Sequence, residues 1–522
     1  MRIFNCLMIW LTAVVISLSG CAGSGSIVND AGSDAFDGLD GAADGGSDSG
    51  ADQGADLAGD PGGDPGLDGG ADQGADSFAD GVTDGGGDED ALFTVEPAED
   101  FDDPILRASL FFSPADGTQQ IVLSELAAAQ SSVHLAFFNI RLQEVADTLL
   151  ALHQAGKSIK VIMDQKQMDQ SYNTLDDWMV NNGLDVVGVF NDASAEATMH
   201  NKFAVIDGRR VLTGSLNYST TAFNRSDEDL LLIDDPVVSA LYEDELAELE
   251  AGEQVPRIDD PEAPLSVYFG SEDRLDLMVI DAIGGAQAEI EVIMFSAGLA
   301  SLGDALVAAV DRGVNVTFLV DESQSQDSDL DETLEAGGAH VLRITRSFPV
   351  ELHDKLCMVD GQIVLAGSYN WTPLASFYND ENSVRLSSSA IATRVAGRVT
   401  ELVTAEDPAF TPAAYGWGEG ARGVTFSVTN LLIRADGACY ISGDDPALGS
   451  MDASKAVEMT RADGPLGETW SATVDLSAGS QVGYKFLVRG PDGINHRETG
   501  DPRSLGVPYA AGPFQVFDTF RQ

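Results

Sequence analysis

Residues His200–Tyr218 read HNKFAVIDGRRVLTGSLNY. A polar triplet leads into the apolar stretch Phe203–Ile206, an Asp-Gly turn at 207–208, a second apolar stretch, and then Gly-Ser-x-Asn. Asp-Gly between two short apolar runs is a strong hairpin signal. Taken singly the stretch would be one hairpin among many, but it occurs twice. His353–Trp371 reads HDKLCMVDGQIVLAGSYNW, and His353, Lys355, Asp360, Gly367, Ser368 and Asn370 each lie 153 residues after His200, Lys202, Asp207, Gly214, Ser215 and Asn217. The same offset carries Glu228 onto Glu381. Such a repeat governs the fold, because it makes this region two copies of one unit rather than one long domain.

Side chains two apart on a strand share a face. His200 and Lys202 therefore point the same way, as do His353 and Lys355. An imidazole and an ammonium on one face, beside the Ser215 and Ser368 hydroxyls and the Asn217 and Asn370 amides, form a cluster of donors suited to phosphate oxygens. Each Glu follows the His of its own copy by 28 residues. Glu228 and Glu381 are expected to accept from the second ring nitrogen of those histidines and fix the tautomer. Asp207 and Asp360, at the turns, read as structural.

The pattern His-x-Lys-x4-Asp-x6-Gly-Ser-x-Asn, present twice, resembles the HKD signature of the phospholipase D superfamily over roughly residues 104–405. The resemblance implies a phosphodiesterase working through a covalent phosphohistidine. His200 would be the nucleophile. His353 would protonate the leaving oxygen and later take a proton from water or an alcohol. Lys202, Lys355, Asn217 and Asn370 would hold the equatorial oxygens. No cofactor or metal is expected, since no group of His, Cys and acids has metal-ligand spacing. His134, His153, His340 and His496 lack a Lys two residues on and read as packed or surface residues.

Around the motifs, strand and helix patterns alternate. In residues 104–255, Ser132–Ile140, Ser158–Met163 and Asp185–Phe190 are β-like, with helices predicted at Leu142–Gln154 and Leu175–Asn182. In residues 264–408, Glu289–Phe295 and Asn315–Val320 are β-like, with helices at Leu302–Arg312 and Leu330–Ala336. The class is α/β: two pseudo-symmetric halves, each a mixed and mostly parallel sheet with helices on both faces. The two HKD copies are expected to meet at the interface between the halves. From about Gly423 the texture becomes all-β, with strands at Val424–Asn430, Ala438–Ser442, Trp470–Leu476 and Gln481–Val488. LGSMD, WSATVDLSAG, YKFLVRG and DPRS in residues 422–522 resemble the family-20 carbohydrate-binding module, the starch-binding domain, and imply a small β-sandwich. The positions matching that family's stacking tryptophans are Met451 and Arg497, which removes the main apolar platform for a sugar. Trp470 lies within the strand pattern and reads as core.

The N-terminus is of another kind. Residues 1–21 carry Arg2, an apolar run Leu7–Leu18 and Leu-Ser-Gly-Cys. That run is short for a membrane span and reads as a secretory signal. The ending resembles a bacterial lipobox, which makes Cys21 the lipidation site and implies a lipid-anchored protein of the cell envelope, at the outer membrane or cell surface. Cys6 leaves with the signal, and Cys357 and Cys439 fall in different domains, so no disulfide framework is implied. Residues 22–103 are mostly Asp, Gly, Ala and Ser, cannot bury enough apolar surface to offset ordering entropy, and are expected to form a disordered acidic linker. The net charge is −57. Residues 1–100 hold 21 acids and one base, yet the remainder still sets 64 acids against 27 bases. An acidic exterior opposes capture of a polyanion. The expected substrate is therefore a phospholipid, cleaved by water or transferred to an alcohol, by a monomer. The alternatives are an exported metal-independent endonuclease and a surface binding protein with an inactive core.

Overall fold

The computed structural model describes residues 93–95 and 101–520, apart from 172, 258–262, 271, 327, 419, 430, 434–436, 465–466, 491–494, 500–501 and 510–513. The signal segment, Cys21 and the Asp/Gly-rich stretch to residue 92 lie outside the described residues.

Each HKD copy lies in a seven-stranded sheet, and the strand order is the same in both halves. In the first it is Ala108–Ser113, Glu228–Asp234, Arg210–Gly214, Lys202–Ile206, Ser132–Phe137, Ser158–Asp164, Asp185–Val189. In the second it is Leu265–Phe269, Asn382–Ser387, Ile363–Gly367, Lys355–Val359, Glu289–Met294, Asn315–Asp321, His340–Ile344. The last three strands of each order are mutually parallel. The other neighbours run antiparallel, so the expected mostly parallel sheet is corrected to a mixed sheet with an antiparallel majority. The cause is local: the repeated motif is itself a hairpin. Asp207 and Gly208, at φ 56° and 60°, and Asp360 and Gly361, at 53° and 61°, supply the paired left-handed residues of a tight turn.

The predicted helices form, as Gln143–Gln154, Leu175–Asn181, Ala300–Asp311 and Leu330–Ala336. Two longer ones follow the last strand of each half, Pro236–Ala251 capped by the Asp235 carboxylate and Ser389–Glu406 capped by the Ser388 hydroxyl. The short helices cover one face of their own sheet. The opposite faces meet: Phe203, Val205, Leu231 and Ile233 share one apolar cluster with Leu356, Met358, Val364 and Val384, and the two long helices close its sides. Each such side chain contributes about 1.5–3 kcal/mol when fully buried, so apolar burial dominates the seam between the halves.

The C-terminal residues build two small sheets, one ordered Thr460–Gly464, Gly467–Ser477, Ala421–Thr429, Phe514–Thr519 and the other around Ala438–Gly443 and Gln481–Arg489. Trp470 is core, with its indole N–H donating to Glu468 at 2.6 Å. The module sits on helix Ser389–Glu406: the Ser389 hydroxyl donates to Gln515 Oε1 at 3.0 Å and Gln515 N–H to Thr393 Oγ1 at 3.2 Å. Of the stretch expected to be linker, the described residues join the fold. Phe93–Val95 pairs with Leu431–Ile433, Phe101 is buried, and Asp103 accepts from Ser388 Oγ at 2.6 Å. The buried Phe101 ring and the Asp103 carboxylate, which accepts from the backbone N–H groups of Ile105 and Leu106, hold residues 101–106 in place.

Candidate functional site

The hairpins carry His200 and Lys202 onto one face and His353 and Lys355 onto the matching face of the other half, as strand alternation requires. All four side chains are buried where the halves meet. Backbone bonds stitch the copies together there. His200 N–H donates to Asp380 O at 2.8 Å, Asp380 N–H to Thr198 O at 3.1 Å, Asp227 N–H to Glu351 O at 2.9 Å and His353 N–H to Asp227 O at 2.7 Å.

These crossings decide the partner of each imidazole. The sequence spacing pairs each His with the Glu of its own copy, and the structure corrects this. His200 Nδ1 lies 2.8 Å from Glu381, and His353 Nδ1 lies 2.8 Å from Glu228. The segment just before each Glu bridges to the segment holding the other half's His, so the carboxylate is delivered across the seam. With Nδ1–H committed to a carboxylate, the lone pair falls on Nε2. Lys202 Nζ lies 2.8 Å from His200 Nε2 and also donates to His200 O at 3.1 Å, and Lys355 Nζ donates to His353 O at 2.8 Å. Phe138 packs edge-on to His200 at 5.1 Å, and Phe295 against His353 at 4.6 Å.

The serines are also corrected. Ser215 Oγ donates to Glu228 Oε2 at 2.6 Å and accepts from Asp229 N–H at 2.8 Å; Ser368 Oγ donates to Glu381 Oε2 at 2.6 Å and accepts from Asn382 N–H at 3.0 Å. Expected to face phosphate, both hydroxyls instead hold the carboxylates that hold the histidines. The glycines before them serve the sheet: a Cβ on Gly214 or Gly367 would lie 2.3 Å from the carbonyl of Asp229 or Asn382 on the adjoining strand. Asn217 does face the centre, lining with His353, Glu228, Asn139, Arg141 and Glu351 a cavity of about 30 Å³. Asn370 is half-buried at the equivalent position. Asp207 takes backbone N–H bonds from Gln130, Ser131 and Ser132, and Asp360 from Gln287, Ala288 and Glu289, tying each hairpin to the next strand. Burial alone would raise the Asp207 carboxyl, but these donors hold it below its ordinary range.

Sequence reasoning missed a second layer. The residue between His and Lys is Asn201 in one copy and Asp354 in the other; the residue after Glu is Asp229 in one and Asn382 in the other. Because the copies cross, like meets like. Asn382 Nδ2 donates to Asn201 Oδ1 at 3.0 Å, and Asn382 Oδ1 accepts from Thr213 Oγ1 at 2.7 Å. Asp229 and Asp354 are both fully buried and electrostatically linked. Burial, with Glu228 adding repulsion, pushes Asp229 up to about 7 against the Lys355 N–H, and burial pushes Asp354 well above the carboxylate range despite Arg398. Two buried acids so placed hold a proton near neutrality. Arg398 also pairs with Asp227, as does Arg346 at 2.7 Å, which braces the segment that binds His353. Arg141 is a further cation that the motifs did not reveal. The one visible signal for the Asp pair was the mismatch of Asn201/Asp354 and Asp229/Asn382 in an otherwise repeated motif.

The Asp pair has a measurable consequence. An acid raised in the folded state binds more protons folded than unfolded, so its contribution makes stability fall as pH rises from about 4 to about 7. Asp229→Asn removes that loss while keeping the Oδ1 acceptor for Lys355 N–H, 3.2 Å away. Thermal unfolding at pH 5 and pH 8 is expected to show the variant gaining on wild type by several degrees at the higher pH. Parallel curves would mean that Asp229 is ionised throughout. Elsewhere among the described residues, Glu245, Glu248 and Glu272 offer oxygens within 4.8 Å of one another. Arg257 lies among them, 3.0 Å from Glu248, 3.5 Å from Glu245 and 3.7 Å from Glu272, so a guanidinium already occupies the centre of that cluster.

The profile of the family described as "Cardiolipin synthase, PLD-like domain" matches residues 122–249 and 279–402, and that of "Starch binding domain" matches 422–515. Mitochondrial cardiolipin hydrolase of Xenopus laevis is 33% identical over 153 residues, 28% of this chain and 67% of that protein. Phospholipase D of Rickettsia typhi is 24% identical over 139 residues, 26% of this chain and 64% of that protein. Among solved structures, phosphatidylserine synthase of Haemophilus influenzae Rd KW20 superposes with a TM-score of 0.46 at 13% identity, covering 57% of this chain and 86% of that one. With two matched halves that bring paired His-Lys motifs to one seam, and a C-terminal module of the starch-binding-domain type, the chain belongs to the phospholipase D superfamily and is a phosphodiesterase of that type.

Proposed function

We propose that the protein cleaves phospholipid phosphodiester bonds through a covalent phosphohistidine. The observation that carries this is the crossed pair of Glu-bound histidines in one seam, each with Nδ1 held by a carboxylate, Nε2 left for the chemistry and a buried Lys beside it. His200 Nε2 attacks phosphorus and the bond to the leaving oxygen breaks, while His353 gives that oxygen its proton. His353, now neutral, takes a proton from water or an alcohol, whose oxygen displaces His200 from phosphorus. Lys202, Lys355, Asn217 and Asn370 stabilise the equatorial oxygens as charge develops there. Glu381 orients His200 and Glu228 orients His353.

The acidic remainder of the chain supports a lipid over a nucleic-acid substrate, since Lys/Arg neutralisation of phosphates drives non-specific nucleic-acid binding. An acylated Cys21 would keep the site beside a bilayer. The test uses the detergent-solubilised full chain with EDTA present, on phosphatidylcholine and on single-stranded DNA. Choline release is expected to be the faster reaction, unchanged within about twofold by chelation because cationic side chains stabilise the phosphate, and inhibited by vanadate as a phosphorane mimic. Faster cleavage of DNA would establish the endonuclease reading, activity on neither would leave a binding protein, and an EDTA loss restored by a divalent ion would overturn the metal-free mechanism.

A further inference from the structure

A cavity of about 660 Å³ opens between the catalytic core and the C-terminal module, well within the ~300–1,000 Å³ range of small-molecule sites. One face of helix Ser389–Glu406 forms its floor, strand Ala108–Ser113 one wall, and the module strands Arg503–Gly506 and Phe514–Thr519 the other. Its chemistry is specific. Three arginines reach it, and each faces two carboxylates: Arg394 with Asp116 at 2.5 Å and Asp102 at 3.7 Å, Arg398 with Asp227 and with Glu401 at 3.0 Å, Arg503 with Glu498 at 2.8 Å and Asp518 at 2.5 Å. The cationic charge is thus offset, which removes the attraction for a phosphate or carboxylate ligand. What remains is half-buried aromatic surface from both sides, Phe111 and Phe517, with amide and hydroxyl groups such as Gln515 and Ser504 between them. Arg398 is buried, and its Nε has no hydrogen-bond partner among the described residues.

The geometry points to a binding site for a neutral polyhydroxylated ligand, a saccharide of one or two rings held by aromatic faces and by amide, hydroxyl and carboxylate hydrogen-bonding groups. The site belongs to neither domain alone, and it is separate from the Met451 and Arg497 positions. It is independent of which phosphodiester the enzyme cleaves.

Gly397 allows a clean test, because it lies on the cavity floor and a Cβ there would find its nearest neighbour, Gly506 O, at 3.9 Å. Gly397→Ala fits, whereas Gly397→Leu fills the cavity, and either residue favours the helix over glycine. The full chain is titrated calorimetrically with maltose, cellobiose and inorganic phosphate in turn. At least one sugar is expected to bind with Kd below about 1 mM, Gly397→Ala to stay within about twofold and Gly397→Leu to lose about tenfold or more (~1.4 kcal/mol). Phe517→Ala, from the opposite wall, is expected to lose a comparable factor and serves if Gly397→Leu does not fold. Sugar affinity unchanged in both Gly397→Leu and Phe517→Ala would place the ligand elsewhere and overturn the site. Binding of phosphate but no sugar, or of none of the three, would overturn it too. The same titration in the His353→Ala protein keeps this result separate from failure of the phosphodiesterase reading.

Discussion

His200→Ala and His353→Ala are each expected to lower turnover of a phospholipid by about 10⁴-fold or more, because each removes a group that makes or breaks a bond at phosphorus. The two variants should differ with a substrate whose leaving group needs no proton. On bis(p-nitrophenyl) phosphate, His353→Ala retains the nucleophile but lacks the base for the second step. It is expected to release about one equivalent of p-nitrophenolate per active site and stop, with the phosphoryl group held on His200. His200→Ala should give no burst. Stopped-flow absorbance and acid-stable or acid-labile label on the protein read both outcomes. A burst in His200→Ala would exchange the roles of the two histidines, and a burst in neither would remove the covalent intermediate.

The second large effect follows from the crossed carboxylates. Glu381→Gln and Glu228→Gln each replace the acceptor at a histidine's Nδ1 with an amide, which weakens the tautomer and the charged ring; a loss of ~10²–10⁴ in kcat is expected by analogy with other carboxylate-oriented histidines. The pH profile distinguishes them. The wild-type profile is a bell, since one imidazole must be neutral while the other is protonated. His353 must carry the proton, so losing the support of Glu228 makes it give up that proton sooner and moves the alkaline limb to lower pH. Glu381 orients the nucleophile, so its loss is expected to slow the burst on bis(p-nitrophenyl) phosphate and to leave the alkaline limb in place. Pairing each Glu with its own copy's His would give the reverse assignment. kcat/KM measured below saturation from pH 5 to pH 9 separates the two. Ser215→Ala and Ser368→Ala should act in the same direction as Glu228→Gln and Glu381→Gln but by less, since each removes one hydrogen bond to a carboxylate, worth ~1.5–3 kcal/mol.

Much of this is legible in the sequence. Periodicity of two along a strand is local, so the sequence by itself placed His200 with Lys202 and His353 with Lys355 on common faces, and Asp-Gly placed the hairpin turns. The offset of 153 residues announced two like units, and the same strand order in both sheets follows from it. What the sequence could not determine is what the two faces do to each other. Whether Glu228 serves His200 or His353 depends on how two sheets pack, and nothing within 28 residues of chain encodes that distance. The same ignorance misplaced Ser215 and Ser368, whose donors looked free for phosphate until the neighbouring strand brought Glu228 and Glu381 to 2.6 Å. It also hid the Asp229–Asp354 pair, because each acid is unremarkable in its own copy and becomes a buried couple when the copies cross. Local backbone chemistry wrote the parts of the site into the sequence; apolar burial between the halves, which carries no residue-specific spacing, decided which parts touch.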